Sequence, residues 1–191
     1  MSTAAAASDT RERILRVTLE LIGRDGIAAV SNRRIATAAG VSLGSLTYHF
    51  SNKLELVRDS LLLFVGEEVD RLEGIAADLR SRCPSVEEVA AEVETIVSES
   101  ANRLQQLAEI ELHLRAARDP ALREASRRCF EGYENVAQAA LEMLSVPQPE
   151  VHARSIVALM YGLALRRLGS GEEDASGIAE ALLTIVSGAT R

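Results

Sequence analysis

The chain has 191 residues, 47% of them apolar but only 3% aromatic, with no tryptophan and four prolines. That length holds one small and one medium domain, or a single elongated one, and a composition rich in alanine and leucine predicts an all-α fold. The net charge of −7 is unevenly spread: residues 1–53 carry seven basic and four acidic side chains, net +3, whereas residues 54–191 carry fourteen and twenty-four, net −10. A mildly basic front on an acidic remainder excludes a uniformly basic chain and suits contact with nucleic acid through one end only.

The opening MSTAAAASDT is small and polar, with neither a basic start nor a long apolar stretch. Residues 1–8 are therefore expected to form a disordered tail and not a secretory signal. Asp9 and Glu12 pair as a cap for a first helix. Ile14, Val17, Leu21 and Ile22 give that helix a buried stripe, and Gly26 is expected to end it.

Residues 30–53 read VSNRRIATAAGVSLGSLTYHFSNK and carry the most specific chemistry in the chain. Ser31 can cap a short helix whose stripe is Ile35, Ala36 and Ala39, and Gly40 ends it. Val41 packs in the turn, and Ser42 can cap a second short helix running to about Phe50. Leu46 and Phe50, at i and i+4, point inward. Leu43, Gly44, Ser45, Thr47, Tyr48 and His49 point outward. The leading outward residues are mostly small, which lets a helix approach base edges closely. Tyr48 and His49 offer donors to phosphate oxygens, contacts that fix position without reading sequence. Lys53, the one lysine of the chain, sits at the start of the next helix, where its charge suits a phosphate clamp. Ser31 and Ser42 serve mainly as caps. Arg33 is expected to reach DNA, while Arg34 is equally consistent with a solvated charge.

These residues carry a resemblance. Ile35-Ala36, Ala39-Gly40-Val41-Ser42, Gly44-Ser45-Leu46, Tyr48-His49-Phe50, Lys53 and Leu56 resemble the DNA-binding domain of the TetR family of transcriptional regulators, over about residues 10 to 58. The resemblance implies a helix-turn-helix whose second short helix lies in the major groove. Two positions depart from the family's habit: Leu43 stands where a polar residue is frequent, and Thr47 where a tyrosine is. A leucine cannot hydrogen-bond a base and can only touch a thymine methyl or a sugar edge. Specificity is therefore expected to lean on Ser45, Thr47, Arg33 and DNA shape.

Beyond the head, a fourth helix is expected from Asn52 to about Leu79, with Asn52 and Glu55 as a capping box and a length of about 40 Å. Arg82-Cys83-Pro84-Ser85 breaks it. Further helices are expected near 86–98, 101–118, 121–145, 149–168 and 174–189, separated by Asp119-Pro120, Pro147-Gln148-Pro149 and the run from Gly169 to Glu173. The domain reading is a helix-turn-helix domain over 9–51 and an effector-binding and dimerisation domain over 52–191. Residues Ile156 to Leu165 are apolar or small almost all round, and Ile178, Ala181, Leu182, Ile185 and Val186 line one face of the final helix. Helices apolar on several sides are buried from several sides, and the TetR resemblance implies that the last two pair with those of a second copy. A two-fold dimer would set two heads about 34 Å apart to read an inverted repeat.

The body holds no phosphate loop, no metal-spaced His/Cys cluster and no nucleophile elbow, so no catalytic residue, metal or cofactor is expected. Cys83 and Cys129 are isolated, which suits a reducing, cytoplasmic setting. No apolar run approaches the ~20 residues of a membrane span. By resemblance the body would bind a small effector. Its pocket would be mostly aliphatic, favouring a flexible apolar ligand with one polar handle; His113, Tyr133, Tyr161 and Arg166 are the candidate lining residues. Control by a protein partner or by concentration is the alternative.

Overall fold

A computed structural model of the chain describes residues 3–82, 88, 95 and 103–171, with the side chains of residues 8–82, 88, 95 and 104–171. Every regular element among the described residues is helical. α1 spans Thr3–Ala29, α2 Asn32–Ala38, α3 Leu43–His49, α4 Lys53–Arg82, α5 Arg103–Ala116, α6 Arg123–Met143 and α7 Pro149–Ser170, with a 3₁₀ turn at Pro120–Leu122. The helices expected near 86–98 and 174–189, and Cys83, lie outside the described residues. Packing divides the chain into two compact units: Met1–Gly66 with Leu104–Ser126, and Glu67–Arg103 with Arg127–Arg191. The division falls inside α4 and inside α6.

In the first unit, α1 begins at Thr3 and not at Asp9. Alanine has no side-chain rotamers to lose in a helix, so the Ala4–Ala7 run extends it. Glu12 consequently sits inside α1 and pairs with Arg16 at 2.8 Å, not with an N-terminal amide. Ile14, Leu15, Leu21 and Ile22 are buried along one face, and Thr18, buried among them, donates its hydroxyl to the Ile14 carbonyl at 2.8 Å. The helical path breaks at Gly26, where φ is 75°. A Cβ on Gly23 would lie 2.4 Å from the Leu104 carbonyl oxygen, so α5 approaches α1 where there is no side chain.

The α2–α3 turn closes by backbone alone. Gly40 takes φ 64°; its N–H donates to Thr37 O at 3.2 Å, and that of Val41 donates to Ala36 O at 3.0 Å. This is the Schellman arrangement, and a Cβ at its left-handed position costs roughly 1–2 kcal/mol. Leu46 and Phe50 are buried, each contributing about 1.5–3 kcal/mol. The Arg11 guanidinium lies 5.0 Å over the Phe50 ring and also pairs with Asp59, tying α1, the end of α3 and α4 together. At the start of α4, Asn52 Oδ1 accepts from Glu55 N at 2.9 Å. The Glu55 carboxylate reaches back to the Ser51 amide at 2.9 Å and to its hydroxyl. The Ser51 hydroxyl, then its amide, hold Glu55 below the ordinary glutamate value.

The second unit packs α4, α6 and α7 around Leu72, Ala76, Leu79, Cys129, Tyr133, Val136, Ala139, Ala140 and Val157. Leu141, Val146, Ala153 and Ile156 form a neighbouring cluster.

Candidate nucleic-acid interface

Two serines set the ends of the short helices. Ser31 Oγ accepts from Arg34 N at 3.4 Å and Ser42 Oγ from Ser45 N at 3.0 Å. Each hydroxyl keeps its own proton for an outside acceptor. Arg33 is exposed and makes no ion pair among the described residues. Arg34 turns the other way: it donates to the Ala29 carbonyl at 2.9 Å and to Asp25 Oδ2 at 2.5 Å. Arg24 and then Arg34 hold the Asp25 carboxyl below its ordinary value. Arg34 thus fastens α2 to the end of α1.

On α3, Leu46 alone is buried. Leu43, Gly44, Thr47 and Tyr48 are exposed, and Ser45 and His49 are half-buried. Tyr48 is 83% exposed, and its ring meets that of His49 edge-on at 5.2 Å. The Thr47 hydroxyl lies 3.1 Å from Leu43 O and 3.0 Å from Gly44 O. Lys53 donates from Nζ to the Ile27 carbonyl at 3.1 Å. It therefore anchors α4 against the end of α1 with one N–H and keeps two for another acceptor.

The four body candidates are divided between the two units. His113 belongs to the first unit, with Nδ1 2.8 Å from Ser126 Oγ and Nε2 3.9 Å from Glu109 Oε1. Arg166 is exposed on α7. Tyr133 and Tyr161 come together in the second unit, their rings perpendicular at 6.0 Å, with Phe130 4.9 Å from Tyr161. The Tyr133 hydroxyl donates to Glu68 Oε1 at 2.7 Å. Arg71 grips the same carboxylate from both sides, Nε to Oε2 at 3.0 Å and Nη2 to Oε1 at 2.8 Å. Burial alone pushes Glu68 up, but Arg71 and Tyr133 outweigh it and leave the carboxyl below its ordinary value.

Family models match most of the length. Residues 14–59 fit the bacterial regulatory proteins of the tetR family, and residues 84–189 fit the tetracyclin repressor-like C-terminal domain. The chain belongs to the TetR family. It is a DNA-binding transcriptional regulator, and TetR-family regulators bind DNA operators and typically act as dimers. It is 28% identical over 167 residues, 83% of each chain, to the nicotine-responsive transcriptional repressor HdnoR of Paenarthrobacter nicotinovorans. Among solved structures, the protein SCO7518 of Streptomyces coelicolor A3(2) is 33% identical with a TM-score of 0.63, covering 93% of this chain and 98% of that one. The multidrug binding protein EbrR complexed with proflavin is 28% identical with a TM-score of 0.61, covering 92% and 99%. The match to the regulator YerO of Bacillus subtilis is shorter, 27% identical over 77 residues and 27% of that protein's length.

In this TetR-family chain, Glu68, Arg71 and Phe130 were not among the residues expected at a site. The signal for Glu68 was present: it falls on the α4 stripe of Leu61, Val65 and Leu72, where a carboxylate needs partners. Arg167, and not Arg166, is the buried arginine of α7, and it continues the line of Val157 and Ala164. Among the described residues, no helix is long and apolar enough to cross a membrane.

Proposed function

We propose that this regulator represses transcription as a homodimer on an inverted-repeat operator and releases DNA when an apolar small molecule binds its body. Residues 9–51 read DNA, and residues 52–191 bind the effector and pair the subunits. The α3 face of Leu43, Gly44, Ser45 and Thr47 enters the major groove. Ser31, Arg33, Ser42, Tyr48, His49 and Lys53 hold the phosphates on either side. The supporting observation is that Leu46 is the single buried residue of α3, while Leu43, Gly44, Thr47 and Tyr48 are exposed to meet a duplex.

Pairing is assigned to α7 and the helix expected at 174–189. On α7, Val151, Ala158, Gly162 and Leu165 are exposed, Leu165 to 58%. The names of HdnoR and EbrR support a small organic effector. Of the residues expected at its site, Tyr133 and Tyr161 have the stronger claim, with Glu68 beside them. An effector preferring a dimer geometry with displaced heads weakens DNA binding by the factor by which DNA weakens effector binding. The place of action is the cytoplasm, where the DNA is.

The test is binding of the purified full chain to fragments selected from genomic DNA, read by fluorescence anisotropy, with mass by light scattering. Salt-sensitive binding of a dimer to a two-fold symmetric site is expected, relieved by at least one member of a panel of hydrophobic metabolites. Binding of a lone subunit to a single half-site would remove the dimer, and a panel without effect would remove the effector.

A further inference from the structure

We propose that α3 selects thymine by apolar contact, with the Leu43 side chain and the Thr47 methyl acting as a pair. The proposal rests on the placement of α3 in the major groove. The hydroxyl of Thr47 has one proton, and two carbonyls of its own helix, Leu43 O and Gly44 O, lie 3.1 and 3.0 Å away to take it. As a donor the hydroxyl is spent, its oxygen keeping only the capacity to accept, and the γ-methyl is the apolar group that this exposed residue offers. Leu43 is one turn earlier, at i and i+4, on the same side of the helix. It is 49% exposed. Gly44 lies beside them and adds no side chain. A Cβ there would meet only Ser42 Oγ, at 3.7 Å. The surface is thus a two-point apolar face with room beside it.

Among the four base pairs, the major groove presents one apolar group, the C5 methyl of thymine. Two apolar groups 4 residues apart on a helix span about 6 Å, which suits thymines at neighbouring steps. An exposed leucine by itself is ordinary on a protein surface. Its pairing with a threonine whose hydroxyl is turned inward is what gives the face a chemical preference. Thr47 therefore acts through its methyl, and its hydroxyl does not serve as a donor to a base.

The test begins with selection of bound duplexes from a random pool. Each thymine of the recovered site is then replaced singly by deoxyuridine, which removes one methyl and leaves pairing intact. Wild type should lose about fourfold in affinity at one or two positions of each half-site, the equivalent of ~0.8 kcal/mol for one buried carbon. Leu43→Ala should lose sensitivity at one of them. Thr47→Ser keeps the hydroxyl and should lose sensitivity at the other, whereas Thr47→Val keeps the methyl and should retain it. Circular dichroism checks that the variants fold. Unchanged affinity for every deoxyuridine duplex would overturn the proposal, and so would sensitivity kept by Thr47→Ser and lost by Thr47→Val. Failure to recover any bound duplex would overturn the DNA-reading role of α3 and the thymine preference together.

Discussion

Gly44 sits on the exposed side of α3, and an added methyl would touch nothing of the protein closer than 3.7 Å. Alanine is favoured over glycine in a helix by up to about 1 kcal/mol. Gly44→Ala should therefore raise the unfolding free energy by about 0.5–1 kcal/mol. The same methyl projects from the face assigned to the major groove, so affinity for the operator should fall about tenfold or more. Chemical denaturation and operator titration check the two halves. A variant both more stable and equally tight would show that this face does not approach bases closely. Gly40 behaves in the opposite sense, since its φ of 64° is required by the turn itself. At this scale the inward side of α3 was legible because the i, i+4 spacing puts Leu46 and Phe50, the residue that ends the helix, on one side, whereas Ser45 and His49, expected outward, are half-buried. The direction of the Thr47 hydroxyl was not legible: it depends on a rotamer and on two carbonyls of the preceding turn, which a residue list does not carry. The same holds for Arg34, whose partners Asp25 and the Ala29 carbonyl come from the end of another helix.

At the scale of elements, Glu68 links two helices of the second unit. It joins Arg71 on α4 to Tyr133 on α6. Glu68→Gln keeps the shape, removes the charge and leaves Arg71 without its partner in this pair. A loss of roughly 1–3 kcal/mol at neutral pH is expected, at the modest end because Arg71 is partly exposed. The pH dependence follows from the lowered folded value. On acidification the unfolded chain takes the proton first, so the contribution of Glu68 is full above the ordinary glutamate value. It is lost as pH falls through the lower folded value. The gap between wild type and Glu68→Gln should close as pH falls over that range, measured by denaturant midpoints in acid. Asp25, Glu55, Asp119 and Glu142 are also held low, but both proteins share them, so they drop out of the difference. A gap independent of pH would mean that the loss arises from packing and not from charge. The helices themselves were legible from period and breakers: α2, α3 and α4 fall within a few residues of expectation, and Asn52 with Glu55 caps α4. The start of α1 was missed because a polar-looking tail of small residues is also a strong helix former. The pairing of Glu68 with Tyr133, 65 residues apart, is set by how α4 and α6 pack, which local pattern does not encode.

For the whole molecule, the uneven charge decides how DNA affinity responds to salt. The chain carries −7 overall and +3 in its first 53 residues, so attraction is confined to the heads and the acidic remainder suppresses indiscriminate binding. Each phosphate contact adds about 0.9 to the slope of log affinity against log salt. Lys53 is one such contact in the proposed arrangement, present once per head. Lys53→Ala should weaken binding to every duplex by a similar factor. In a dimer it should flatten the salt slope by about 1.8, two contacts' worth. The hydrogen bond from Lys53 to the Ile27 carbonyl supplies a competing explanation, because its loss would loosen α4 from the end of α1. Lys53→Gln separates the two, since it keeps an N–H donor and removes the charge. Stability closer to wild type with the same flattened slope assigns the effect to phosphate. A restored slope would reduce Lys53 to a brace, a sequence-selective loss would contradict the clamp, and a change of about 0.9 would mean that only one head of the pair touches the duplex.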